Sequence, residues 1–253
     1  MSINDKLFKL IKNHQKEEFI KYFKDNNDVD CNIRDNNNNY LIQYAIIFNM
    51  PDIISLLISK GSKLDMIDID GRSLLFMPIK YGYTDALKVL LDKDKDNIGI
   101  SLLEYSDIKG LFPIHYAILF KNEIAIKLIV EYMNNIDIPD KDGNTPLHYS
   151  IKVKDFNIFN EIISKQPDLN YQTNQGESAL HIACLALGLK KGDWLWTSPN
   201  SFVASANCGL YCGSRVDFVD IDPLTYNMSV QELEKKLIKE KKEKKLPKIV
   251  VPV

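Results

Sequence analysis

The sequence predicts an all-α solenoid of stacked helix pairs, followed by a partial α/β segment with a three-strand parallel sheet. The first observation is a turn residue that recurs at intervals of 33, 39, 33 and 33 residues: Asn38, Gly71, Gly110, Gly143 and Gly176. The second is a pattern of two short helices after the turns. The third is a change to alternating strand and helix patterns beyond residue 187. A fixed period of this size is typical of stacked supersecondary units.

The turn motif is best preserved in residues 140–148, with the sequence DKDGNTPLH. Related copies begin at Asp35, Asp68, Asp107 and near residue 173. Gly or Asn tolerates the positive φ of a tight turn, Thr or Ser can cap the next helix, and Pro fits its first turn. The motif resembles the opening of the ankyrin repeat, and this resemblance covers residues 1–187. It implies a scaffold that binds an unidentified protein partner through its turns and inner helices.

Paired helices are indicated by apolar residues at helical spacing in Pro51–Lys60, Asp85–Leu91 and Glu123–Tyr132. Such spacing places the apolar residues in one stripe on each helix. One helix pair cannot bury its stripe alone, so neighbouring pairs are expected to stack.

The pattern divides the chain into three parts. Residues 1–34 contain two amphipathic runs without the turn motif and are expected to form N-terminal capping helices. Residues 35–187 hold the repeats, and residues 188–253 form an incomplete α/β segment. Six extra residues between the second and third turn positions, Gly71 and Gly110, fall near Asp92–Leu103, where Lys93–Asn97 is expected to be a polar loop.

The tail begins where the second helix of the fifth repeat fails to appear. A turn and a short strand pattern occupy residues 190–199 instead. Beyond them the sequence predicts helix, strand, helix and strand at Phe202–Tyr211, Val216–Asp220, Ser229–Lys245 and Lys248–Val253. Alternating order of this kind is typical of α/β folds.

From Ser178 onward, the tail resembles the DegT family of pyridoxal-phosphate-dependent sugar aminotransferases. The likeness is densest in Ala179–Leu189, Pro199–Asn207 and Val216–Asp222. It implies that Phe202 stands where the family's aromatic residue stacks on the pyridoxal ring. It also implies that the Glu177–Ser178 pair stands where the family contacts the cofactor phosphate. A carboxylate at residue 177 would face that phosphate and disfavour its binding.

Transamination needs a lysine that forms the imine with the cofactor. The family's lysine, its aspartate for the pyridine nitrogen and a nearby serine lie beyond the segment matched by Ile249–Val253. The lysines of residues 235–245 alternate with glutamates and are expected to be solvated partners at helical spacing. We therefore expect no catalytic residue, no cofactor and no enzyme activity, with Ser178 and Phe202 as vestigial matches. The alternative is an aminotransferase fragment that works only with a second chain that supplies the lysine.

Composition gives no sign of a nucleic-acid or membrane partner. The formal net charge is -2, and no apolar run approaches the roughly 18 residues of a spanning helix. The first 12 residues lack the continuous apolar region of a signal peptide, so a cytoplasmic location is expected. The chain is also expected to be a monomer.

Two patterns could indicate a metal site, but structural roles are favoured for both. His115, His148 and His181 recur at intervals of 33 residues and are expected to bond turn backbone rather than hold a metal. Cys208 and Cys212 could form half of a metal site, but no complementary pair stands nearby, so buried thiols are expected. No metal site is predicted.

The residues that flank the turn positions are the predicted partner-binding surface, with Ile69 and Leu111 as exposed apolar anchors or, alternatively, as side chains that pack on the adjacent turn. The full prediction is Asn36, Asn39, Ile69, Arg72, Lys109, Leu111, Lys141 and Asn144.

Overall fold

A computed structural model describes residues 3–26, 29–95, 101–200, 203–243 and 245–252. The helices of the capping pair and the repeats are α1 Ile3–Lys12, α2 Lys16–Asp25, α3 Leu41–Ile47, α4 Pro51–Ser59, α5 Phe76–Tyr81, α6 Thr84–Lys95, α7 Pro113–Leu119, α8 Glu123–Tyr132, α9 Pro146–Lys152, α10 Phe156–Ile163 and α11 Ala179–Ala186. The tail continues with β1 Trp194–Thr197, α12 Val203–Tyr211, β2 Arg215–Phe218, α13 Val230–Glu243 and β3 Ile249–Val251.

The helices pack in two layers. The first helices of each pair, α1, α3, α5, α7, α9 and α11, contact one another in that order. The second helices, α2, α4, α6, α8 and α10, form the other layer in the same way. Their apolar stripes merge into one continuous core that runs from Leu7 to Ala179. The predicted solenoid is confirmed, because each helix pair buries its stripe against its neighbours.

The turns between repeats stack directly on one another. Lys141 N donates to Lys109 O at 3.1 Å, and Asn174 N donates to Asp142 O at 2.9 Å. Gly143 has a φ of +84°, and a Cβ atom there would lie 2.6 Å from Asn174 N. Glycine is required at this turn both for the left-handed backbone and for the close approach of the next turn.

The six-residue insertion lengthens a helix. Helix α6 continues to Lys95, so the prediction of a loop that begins at Lys93 is wrong for residues 93–95. Residues 96–100 lie outside the described part of the chain. Leu102 and Leu103 then return to the core, which anchors the far side of the insertion.

The tail forms a three-strand parallel sheet, as predicted, and the structure gives its strand order as β2-β1-β3. Leu195 pairs with both Val216 and Ile249 in register. Adjacent residues of β1 face opposite sides of the sheet. Leu195 lies in a core with Cys184 of α11 and Cys208 of α12, whereas Trp196 lies in a core that α13 covers through Leu233 and Leu237. The sheet therefore has helices on both faces.

Candidate functional site

The turn tips form a row along one edge of the repeats. Within the predicted set, Asn36, Lys109 and Lys141 are exposed, and Asn39 and Arg72 are half-buried. Ile69 has 98% of its surface exposed. Ile108, which sequence reasoning missed, stands at the equivalent position of the next turn and is 61% exposed. The sequence could have identified Ile108, because Ile69 and Ile108 both directly follow the first aspartate of a motif.

Two predicted residues lie inside the fold. Leu111 is only 9% exposed, so its prediction as an exposed anchor is wrong. Asn144 is also buried, where its amide contacts Asp140 and its Oδ1 accepts from Lys152 Nζ at 2.7 Å. Both residues directly follow the turn glycine, where the chain turns back towards the helices.

Arg72 is fixed in place by two carboxylates and a ring. Its guanidinium lies 2.7 Å from Asp68 Oδ2 and 2.6 Å from Asp70 Oδ2, and it covers the Phe76 ring at 4.0 Å. Burial alone would lower the pKa of Arg72, but the hydrogen bond and charge of Asp68 outweigh it and raise the pKa. The side chain is therefore held rigidly, and the two carboxylates offset its positive charge.

A partly buried pair of Asp and Tyr stabilises three of the turns. Asp140 Oδ1 accepts from two turn amides, including Asn144 N at 2.8 Å, and Tyr149 donates to its Oδ2 at 2.7 Å. Tyr44 and Tyr116 bond Asp35 and Asp107 in the same way. Burial would raise the pKa of Asp140, but the bonds from Tyr149 and the Asn144 amide lower it overall. Sequence reasoning missed this tyrosine, although it recurs nine residues after each of these three aspartates.

The histidines bond backbone in two of three cases. Nδ1 of His115 accepts from Phe112 N at 3.0 Å, and Nδ1 of His148 accepts from Thr145 N at 3.1 Å. Burial lowers the pKa of His115 to about 4, so the ring is neutral at pH 7. The prediction is confirmed for these two residues. For His181 it is wrong, because neither ring nitrogen has a protein partner and the ring packs 5.4 Å from Tyr211.

The residues at the aminotransferase-like positions do not fit a pyridoxal phosphate. Ser178 Oγ is buried and accepts from His181 N at 3.3 Å as the cap of α11, and the preceding residue, Glu177, is a half-buried acid. Phe202 lies outside the described residues. Among the described residues, the buried polar set contains no lysine. We therefore derive no chemical step through this cofactor.

The cysteines of the tail line its core. Cys184 Sγ and Cys208 Sγ lie 3.6 Å apart and are buried, and Cys212 is half-buried one residue past the end of α12. No group of His, Cys, Asp or Glu in the described ranges is arranged to hold a metal ion.

The first 192 residues carry the family assignment. The family model for ankyrin repeats matches three overlapping segments, residues 7–100, 97–173 and 114–192. Together these span most of the chain, and the chain belongs to the ankyrin repeat family. The tail, residues 170–253, matches the model for the DegT/DnrJ/EryC1/StrS aminotransferase family.

Individual relatives divide in the same way. An ankyrin repeat protein, L371 of Acanthamoeba polyphaga mimivirus, is 39% identical over 182 residues, which are 71% of this chain and 24% of the relative. GDP-perosamine synthase of Caulobacter vibrioides is 41% identical over 61 residues, which are 24% of this chain and 16% of the relative. The chain thus spans a quarter or less of the length of these two proteins.

A solved structure supports the fold of the repeats. The crystal structure of the ankyrin repeat domain of Bcl-3 aligns with a TM-score of 0.61 and 22% identity, over 70% of this chain and 78% of that one. Across the described ranges, no helix has both the length and the apolar character needed to cross a membrane.

Proposed function

We propose that this chain is a protein-interaction scaffold without catalytic activity, and that its partner contacts the turn tips. The single observation that carries the proposal is the pair of exposed apolar side chains, Ile69 and Ile108, on neighbouring tips. Exposed isoleucines on a rigid, hydrogen-bonded surface are typical of an interaction site. Lys109 and Lys141 are exposed on the second of these tips and on the tip that follows it, and they favour a partner surface with negative charge.

The tips are held for binding before a partner arrives. Ile108 N donates to Asp70 O at 2.9 Å, so the two tips that carry the isoleucines are bonded to each other. A surface that is already ordered loses little conformational entropy on association. Asn36, Asn39, Ile69, Arg72, Lys109 and Lys141 remain the proposed contacts with Ile108 added, and Leu111 and Asn144 are removed.

An affinity experiment tests this surface. The purified chain and a double variant, Ile69→Asp with Ile108→Asp, are used as baits against an extract of the source organism. Because both isoleucines are already exposed, the variant should fold normally, and a partner recovered by the wild type should fall at least tenfold. Ile124→Asp is the matched control, since Ile124 is 57% exposed on α8 away from the tips. Equal recovery by the wild type and the double variant would contradict the proposal.

The absence of transamination is part of the proposal. The lysines of α13 support it, because Lys235 is exposed and lies 2.6 Å from Glu232, and Lys236 is half-buried and lies 2.7 Å from Asp217. Lysines paired with carboxylates in this way do not have the environment of a reactive amine. Incubation with pyridoxal phosphate should give no imine absorbance band that depends on one particular lysine. A stable band that is lost after one lysine substitution would overturn this part.

A second candidate function is a fragment that a lysine-bearing chain completes. It is favoured by the sheet itself, in which β2 and β3 are the outer strands of the described part and can accept further strands. Mixing the chain with the remaining portion of the Caulobacter GDP-perosamine synthase tests it. We expect no gain of aminotransferase activity, and a gain that depends on both chains would favour the fragment.

We also propose a cytoplasmic monomer that does not bind nucleic acid, with domain boundaries at residues 34 and 187. The boundary at residue 187 directly follows α11, a helix shared by the repeats and the α/β segment, because α11 contacts α9 on one side and α12 on the other. Sedimentation velocity and a filter assay with labelled DNA and RNA test the oligomeric state and the nucleic-acid partner. Limited proteolysis that cuts first between residues 187 and 194 would support the boundary.

A further inference from the structure

The second-helix layer ends with an open face on α10. After α11, the chain passes through Gly188 and enters β1, where a complete repeat would have its second helix. Helix α8 therefore packs on one side of α10, and α12 packs on α11 rather than on the other side of α10. The layer stops one helix short of the layer of first helices.

Burial at equivalent positions marks this open face. Phe159 of α10 is half-buried, whereas Ile54, Leu87 and Ile126, which occupy its position in α4, α6 and α8, are fully buried. Ile163 is also half-buried. Its equivalents Leu91 and Val130 are buried, and Ile58 is half-buried.

The segment after α10 shows the largest difference. Leu169 lies four residues before the start of the fifth motif and is 56% exposed. Leu64, Leu103 and Ile136 stand at the same position before earlier motifs and are 8%, 8% and 5% exposed. The same apolar position is therefore covered in the preceding repeats and uncovered only where the next second helix is missing.

We propose that this α10 end face, made by Phe159, Ile163 and Leu169, binds an amphipathic helix of a partner protein. The bound helix takes the place of the second helix of the fifth repeat. The α10 end face continues the series of helix–helix interfaces within this layer, and the chain covers each earlier face with an amphipathic helix. A helix of the same kind is therefore the occupant. The bound helix needs an apolar stripe like that of α8, whose buried residues are Ala125, Ile126, Ile129 and Val130.

Burial of the apolar face drives the association. Each half-exposed aliphatic or aromatic side chain that becomes fully covered contributes favourable free energy in proportion to the area removed from water. This surface is distinct from the turn tips, because it lies on the second-helix layer. The two surfaces can therefore be tested separately.

A peptide experiment tests the α10 end face. The probe is a fluorescein-labelled peptide with the sequence of residues 121–134, which includes the N-cap Asn122 and all of α8. Its binding to the full chain is measured by fluorescence anisotropy. We expect saturable binding that weakens at least tenfold in Ile163→Glu and in Leu169→Ser, and that is unchanged in Asn160→Glu, an exposed position on the same helix. A peptide with Leu128→Ser and Ile129→Ser should not bind.

Two variants keep the result interpretable. Leu169 lies outside the helices, so Leu169→Ser tests the face even if Ile163→Glu disturbs α10, and circular dichroism checks both. No binding to the wild type, or binding that both variants retain, would overturn the proposal. Dimerisation of the chain that Leu169→Ser abolishes would also overturn it, because the occupant would then be a second copy.

Discussion

At the scale of single residues, the turns are held by a few side chains with different tasks. Aspartate accepts the turn amides, tyrosine bonds the second carboxylate oxygen, and a residue at the third helical position accepts an amide at the helix start. In the first repeat this last task belongs to Gln43, whose Oε1 accepts from Tyr40 N at 2.8 Å. The third helical position therefore requires a hydrogen-bond acceptor, which need not be a histidine.

Gly143→Ala and Gly176→Ala form a matched pair of substitutions. Both glycines have positive φ, but a Cβ atom at Gly176 meets nothing within 4 Å, whereas at Gly143 it would lie 2.6 Å from Asn174 N. We expect Gly176→Ala to cost about 1–2 kcal/mol through backbone strain. Gly143→Ala should cost about 2–5 kcal/mol because the next turn must also move. Urea denaturation measures both, and equal losses would show that the turns do not press on each other.

His115→Gln should reduce the loss of folding stability that occurs at acid pH. The folded-state pKa of His115 is about 4 and its ordinary value is 6.5, so between these values the unfolded chain binds more protons. The wild type therefore loses stability as the pH falls from 6.5 towards 4, and the loss at pH 5 is about 2 kcal/mol.

Glutamine keeps the acceptor, as Gln43 does, but cannot take up a proton. Urea denaturation at pH 7 and pH 5 should therefore show a loss that is smaller by about that amount in His115→Gln. The same loss in both proteins would assign the acid sensitivity to other groups.

At the scale of elements, α11 belongs to two structures. It packs on α9 as the first helix of the fifth repeat, and on α12 as the first helix of the α/β segment. Its sequence, ALHIACLA, suits both because apolar residues occur on nearly all sides. The repeats and the sheet thus share one helix and need no linker between them.

Leu195→Ala should loosen the sheet and leave the repeats intact. Leu195 of β1 is fully buried against the helices α11 and α12. Removing a buried leucine side chain costs about 2–5 kcal/mol of folding stability. Hydrogen exchange should increase in β1, β2 and β3 and stay unchanged in α7 and α8. Faster exchange throughout the repeats would show that the two parts unfold as one unit.

At the scale of the whole molecule, stability is shared between neighbours. The repeats contact one another in order along the chain, so the loss of one end should not unfold the other. The α/β segment covers the side of α11 that lies away from α9 and in this way ends the layer of first helices. It leaves the end of the second-helix layer open.

A chain truncated after residue 189 should keep its solenoid. Circular dichroism should show the loss of the 9 residues of α12 and the 14 residues of α13 and little else. Because Cys184 loses its cover, the truncated chain should be less soluble and should melt at a lower temperature. Loss of most of the helical signal would contradict the independence of the repeats.

Much of the architecture could be predicted from short-range patterns. The turn spacing predicted the stacking, and the helical stripes predicted α4 and α8 to within about one residue, because both signals are local in the chain. The predicted strand Val216–Asp220 is found at Arg215–Phe218, a small shift because β1 sets the pairing register. The insertion was misjudged because a polar run can extend the exposed face of a helix as readily as form a loop.

The repeated turns, the helix pairs and the change of pattern near residue 187 follow from the amino-acid sequence alone, since each depends on residues close together in the chain. The exposure of individual side chains depends instead on tertiary packing. Leu111 and Ile108 lie three residues apart in one turn, yet one is buried and the other open, because exposure depends on which neighbouring elements fold over each side chain. The open end of α10 has the same cause, since Leu169 resembles its buried equivalents in sequence and differs only in what packs beside it.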